Sequence, residues 1–140
     1  MFRLNRVRIA SCALLSLAAA SCGEDQVVIP TQPTPVTYTE TYSGTVNRNG
    51  SVTHSFFTTL AGEVTATLST LTPEDLKVGL AMGTWNGAVC DVRLINDQAI
   101  RTTIIYGNAS TAAALCVRIY DVGNITDAAP ASYEVTVVHR

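Results

Sequence analysis

Few residues in this chain are suited to chemistry: two histidines, four cysteines, one tryptophan and a thin scatter of acids. His54 stands in a stretch that alternates like a strand, and His139 is next to the last residue. Neither lies beside a nucleophile motif. The chain has no G-x-S-x-G elbow, no H-E-x-x-H pair and no Gly-rich phosphate loop. Adjacent carboxylates occur only at Glu24-Asp25 and Glu74-Asp75. The second pair suits the start of a helical turn, with Thr72 as its cap, better than acid/base work. The expectation is a protein that is not an enzyme and holds no resident cofactor.

Binding chemistry has more to offer. Calcium takes ~6–8 oxygen ligands, often from Asp, Asn and backbone carbonyls. Asp91, Asn96, Asp97, Asp121 and Asn124 have the right side chains, with Asp121 and Asn124 the best-placed pair. The same residue types also close turns through their own side chains, so calcium at Asp121 and Asn124 is a secondary expectation. Trp85 is the only tryptophan and stands in Gly83-Thr84-Trp85-Asn86-Gly87. A Trp beside Asn86 at a loop tip would present a stacking surface to a sugar. The other reading is a ring folded back over the end of the core. Tyr106 and Tyr120 sit near strand ends, where a sandwich exposes its loops, and join Trp85 and Asn86 as candidate ligand contacts. Phe56 and Phe57 are adjacent, so one of them must face away from the core of a strand.

Length and composition limit what can position these groups. At 140 residues the chain has room for one domain. Its hydrophobic content of 47% argues for a packed core. Its charged content is 14%. That is low beside the roughly 25% usual in soluble proteins. The net charge of −2 supplies no basic surface for nucleic acid. No apolar run reaches the ~18 residues of a membrane-crossing helix.

The first residues read as an address. Arg3, Arg6 and Arg8 precede an apolar stretch from Ile9 to Ala20, the pattern of a secretory signal peptide. Without these three cations, six Lys+Arg face eleven acids, a charge of about −5. Ala19-Ala20-Ser21-Cys22-Gly23 resembles a bacterial lipobox, which implies that residues 1–21 are removed and Cys22 is lipidated. Ordinary cleavage after Ala20 is the alternative, giving a secreted or periplasmic protein. Residues 22–37 include Pro30, Pro33 and Pro35 among threonines, the composition of an extended tether. The expected location is the outer membrane or cell surface, with the lipid as the link to the membrane.

Residues 38–140 change character. Val64-Ala66-Leu68, Leu76-Val78-Leu80-Met82, Leu115-Val117-Ile119 and Tyr133-Val135-Val137 alternate with small or polar residues, as half-buried strands do. Asn49-Gly50 reads as a type I′ hairpin turn. Asn86-Gly87, Ala61-Gly62, Gly107-Asn108 and Asp121 to Asn124 mark further turns. The reading is all-β: an antiparallel sandwich of about eight strands. Cys90 and Cys116 remain in this part, and an exported protein permits a disulfide between them. The loop of about 27 residues would contribute roughly 3–4 kcal/mol. Regular alternation sets the two thiols on opposite faces, and a bulge or an edge position would bring them together.

Four segments in order carry a resemblance: Tyr42-Ser43-Gly44-Thr45-Val46, then His54-Ser55-Phe56 with Ala61-Gly62-Glu63-Val64-Thr65-Ala66-Thr67-Leu68, then Leu115-Cys116-Val117-Arg118-Ile119, then Ser132-Tyr133-Glu134-Val135-Thr136-Val137. Over about 100 residues the chain resembles the bacterial pre-peptidase C-terminal domain. The resemblance implies a jelly-roll-like sandwich that is non-catalytic and accompanies exported enzymes, some relatives binding calcium or matrix. The functional expectation is a non-enzymatic envelope lipoprotein with a binding or interaction module. The alternatives are a carbohydrate-binding module using the Trp85 loop, and a purely structural or assembly partner of an exported complex, the partner being an envelope protein or a polysaccharide.

Overall fold

A computed structural model describes residues 34–140. The expected signal peptide (1–21), Cys22 and the tether as far as residue 33 lie outside the described residues. Eight strands follow one another: β1 (Tyr38–Val46), β2 (Ser51–Thr58), β3 (Gly62–Thr72), β4 (Val78–Trp85), β5 (Cys90–Ala99), β6 (Ile104–Ala109), β7 (Ala113–Tyr120) and β8 (Ala131–His139). They form two four-stranded antiparallel sheets, ordered β1-β8-β3-β6 and β2-β7-β4-β5. The pairs β1–β8, β2–β7, β3–β6 and β4–β5 are nested, as in one long hairpin bent over and wrapped on itself. This is the jelly-roll arrangement of a sandwich.

The core follows from period-2 alternation, which sends every second side chain to the space between the sheets. Val64, Ala66 and Leu68 of β3 and Tyr133, Val135 and Val137 of β8 meet Val78, Leu80 and Met82 of β4 and Val117 and Ile119 of β7. Phe56 joins them at 5% exposure while Phe57 points out at 56%, so the adjacent phenylalanines divide between the two faces.

Three local expectations are corrected. Asn49-Gly50 does not close a hairpin, because β1 and β2 belong to different sheets. It makes an arch between them. A type I′ turn needs φ > 0 at both central residues. Here only Asn49 has it, at 54°. Gly50 N–H donates to the Asn47 carbonyl at 2.9 Å. Gly107-Asn108 is not a turn but part of β6. A Cβ at Gly107 would lie 2.7 Å from Met82 Cε, so the glycine there serves close packing between the sheets. Residues 72–75 form no helix; Leu76 N–H closes a turn on the Pro73 carbonyl at 3.2 Å.

Cys90 and Cys116 are joined, with Cα atoms 5.8 Å apart. Their strands are not neighbours, since β4 runs between β5 and β7. Two features bring them together. The β4–β5 register shifts between Met82↔Leu94 and Gly83↔Val92, leaving Arg93 as an extra residue and changing the face on which Cys90 lies. The β5 backbone then passes over Gly83, where a Cβ would collide with the Asp91 carbonyl. Replacing both cysteines by serine is expected to remove about 3–4 kcal/mol for a loop of this size. Gly83→Ala should cost ~1–3 kcal/mol by overpacking. Thermal melts check both as drops of several degrees. An unchanged melting temperature for Gly83→Ala would mean that β5 does not cross β4.

Candidate functional site

The outer face of β4 is nearly bare. Alternation sends Leu80 and Met82 into the core and leaves Gly79, Ala81 and Gly83 on the other side. The flanking strands supply the walls. Register places Tyr120, Arg118 and Cys116 of β7 opposite Gly79, Ala81 and Gly83, while Ile95 and Val92 of β5 lie across from Ala81 and Gly83. The result is a trough along β4 whose floor is no larger than alanine and is itself covered by the walls, Ala81 being 1% exposed. An open space of about 260 Å³ lies in it, lined by Ala81, Val92, Ile95, Arg118 and Tyr120.

Each end of the trough is strapped across β4. At one end the disulfide joins β5 to β7. At the other, the Tyr120 ring lies over Gly79, where a Cβ would overlap it. The Tyr120 hydroxyl donates to Asp97 Oδ1 on β5. Burial and the hydrogen bond to the Asp97 carboxylate push the Tyr120 phenol up to about 12. Between the straps, Arg118 donates from Nη2 to Ser51 Oγ at 2.9 Å. Its guanidinium carbon stands 5.8 Å from the Tyr120 ring centre. That is close enough for a cation to feel the ring's negative face. Arg118 Nε is buried without an acceptor among the described residues. An aromatic face, a guanidinium and aliphatic walls can bind and orient a ligand. None of these groups is a nucleophile.

The other candidates are dispersed. Trp85 ends β4 half-buried, opposite Cys90 and beyond the disulfide from the open trough. Asn86 is occupied by its own turn: Oδ1 accepts the N–H groups of Ala88 and Val89 at 3.0 and 2.8 Å. Tyr106 is exposed on β6, opposite Thr65 in the other sheet, so it does not join Tyr120. Asp121 organises the connection after β7. Its Oδ1 accepts from Gly123, Asn124 and Ile125 N–H, and its Oδ2 from Asn49 N–H. The Asn124 amide donates to the Lys77 carbonyl at 3.1 Å. The Asp121 carboxylate is thus engaged by four backbone N–H groups, whereas Asn124 uses only its amide nitrogen, and no group of three or more His, Cys, Asp and Glu placed for a metal occurs among the described residues.

A second cluster joins side chains that sequence separates widely. On the side where β1 and β2 meet, Glu40 Oε1 and His139 Nε2 are 2.8 Å apart. Tyr42 donates to Glu40 Oε2. Tyr42 stacks on His54, whose Nε2 shares a hydrogen bond of 2.7 Å with the Tyr133 hydroxyl. The sequence signal for it is the phase of β1, which puts Glu40 and Tyr42 on the same face as Val46. Its hydroxyls are both phenols, Tyr133 against His54 and Tyr42 against Glu40, and the cluster fills one side of the sandwich.

These groups give the pH dependence of stability. Burial raises the Glu40 carboxyl, but hydrogen bonds from Tyr42 and His139 outweigh it and hold the group below its ordinary value. Burial likewise opposes, and four backbone N–H donors reverse, the shift of Asp121, which also ends low. Burial lowers His54 and favours its neutral form. All three shifts have one sign: the unfolded chain takes up protons before the folded one, so stability falls as pH falls. The melting temperature should hold above about pH 7, start to fall near ~6.5 with His54, and fall further below ~4 with the carboxylates. His54→Gln should flatten the first decline. A melting temperature that rises as pH is lowered from about 7 to about 5 would overturn this sign. Neither a protein-family model nor a curated protein matches the chain.

Proposed function

We propose that this chain is a non-enzymatic envelope lipoprotein whose sandwich is a binding module, and that its ligand lies in the trough on β4. The observation that carries the reading is the Tyr120 ring, laid over Gly79 and tied to Asp97. The ring rests on a glycine of the sheet with the Arg118 guanidinium carbon 5.8 Å over it, and an aromatic surface with polar groups at its edge suits the stacking of a sugar ring. The carbohydrate reading thus passes from Trp85 to Tyr120. The leader-like residues 1–21, Cys22 and the tether support export and anchoring, and a disulfide fits an oxidising compartment. The resemblance to the pre-peptidase C-terminal domain agrees with a non-catalytic role.

Two measurements test this reading. In the full chain, Tyr120→Ala should abolish retention on a panel of envelope and plant polysaccharides, while Trp85→Ala should retain binding. The reverse outcome would return the site to the Trp85 loop. If no polysaccharide is retained and cross-linking in cells yields a defined protein partner, the assembly reading replaces it. The intact mass of membrane-extracted protein should include acyl chains on Cys22; a mass without them would overturn the anchor.

A further inference from the structure

We infer that the trough selects an acidic glycan, and that Arg118 holds a carboxylate of a uronate unit while its ring stacks on Tyr120. This rests on the trough being the binding site. Arg118 lies opposite Ala81, midway between the two straps. Its charge has no carboxylate partner among the described residues; the same holds for Lys77, Arg101 and Arg140, but Arg118 alone of these lines the trough. Arg48 and Arg93 are paired with Asp127 and Asp91 at 3.2 and 2.6 Å. Asp97, at the end of the trough, accepts from the Tyr120 hydroxyl and makes no ion pair with Arg118.

The guanidinium has a single hydrogen-bond partner among the described residues. Ser51 fixes one amino group and the Tyr120 ring lies alongside. Its Nε–H has no acceptor among the described residues, an unusual state for a buried donor. A planar carboxylate accepts two parallel N–H bonds from the edge of a guanidinium, which a neutral hydroxyl cannot match. Because Nε is buried, a carboxylate reaches that edge only when Arg118 turns away from Ser51.

The walls fit the rest of a sugar. Val92 and Ile95, the latter 62% exposed, offer aliphatic surface to the C–H groups of a pyranose ring. The space is about 260 Å³. Pockets that enclose a whole small molecule are larger, roughly 300–1,000 Å³. An open trough of this size suits a short stretch of a longer chain.

Calorimetric titration of the full chain with pectate and alginate oligomers, methyl-esterified pectin oligomers, neutral galactan oligomers and sulfated dextran oligomers tests the inference. Uronate oligomers should bind most tightly, and their affinity should fall with salt. Arg118→Gln, checked for an unchanged fold by its melting curve, should weaken uronate binding by about tenfold or more. It should leave the esterified oligomers nearly unaffected, and Arg118→Lys should restore part of the loss. Neutral or esterified oligomers binding as tightly as the acids would overturn the role of Arg118 and leave the trough reading intact. Binding of sulfated oligomers alone would overturn the uronate assignment. No binding to any of them by the folded protein would overturn both readings.

Discussion

A central strand without large side chains on its outer face is the constraint on which this structure depends. β4 carries Gly79, Ala81 and Gly83 there, so the sheet lacks the cross-strand side-chain pairs that normally stabilise it at those positions. Neighbours make up the loss in two ways. At Gly79 an aromatic ring from β7 covers the glycine, and at Gly83 the backbone of β5 moves over the strand and is bonded to β7 by a disulfide. Both solutions use glycine for close approach. Each links β5 to β7 without passing through the core. The open space between them exists because Ala81 is too small to fill it.

The strands and the face each residue takes are readable from period 2, because alternation is a local property of the backbone. Val64-Ala66-Leu68 and Tyr133-Val135-Val137 point inward as their pattern requires. The partnering of strands is not readable in this way. Asn49-Gly50 looks like a hairpin by local turn chemistry, but a jelly roll sends these consecutive strands to opposite sheets, and long-range pairing prevails. The disulfide shows the same division. Its two cysteines are identifiable from the sequence, and so is the conflict of phase between them. The extra residue at Arg93 that removes the conflict depends on how β5 lies against β4.

The candidate site is legible only in fragments. Gly79 and Ala81 stand out as small residues alternating with Leu80 and Met82, and that face reads as wet. It is instead covered, because the residues opposite it are Tyr120 and Arg118, about 40 positions away in the chain. Tyr120 stands out in the sequence by its place near a strand end, whereas Arg118 is marked only by alternation, which sets it on the face of Cys116 and Tyr120. Asp121 and Asn124 have the side chains of calcium ligands, but in the turn the Asp121 carboxylate accepts backbone N–H groups and the Asn124 amide nitrogen donates to the Lys77 carbonyl. The histidine cluster requires knowing that β1 and β2 lie side by side across the two sheets, a consequence of topology.

The path of β5 also bears on how copies of the protein behave toward one another. β5 is an edge strand, and an exposed edge offers unpaired N–H and C=O groups to any other strand that can align with it. Its ladder with β4 is interrupted twice, between Val78 and Leu80 and between Met82 and Gly83, and its start is pulled over the sheet and fixed there by a covalent bond. A second strand could not follow this edge for more than a few residues before the spacing failed. The strap that closes one end of the trough therefore also blunts the sheet against edge-to-edge aggregation.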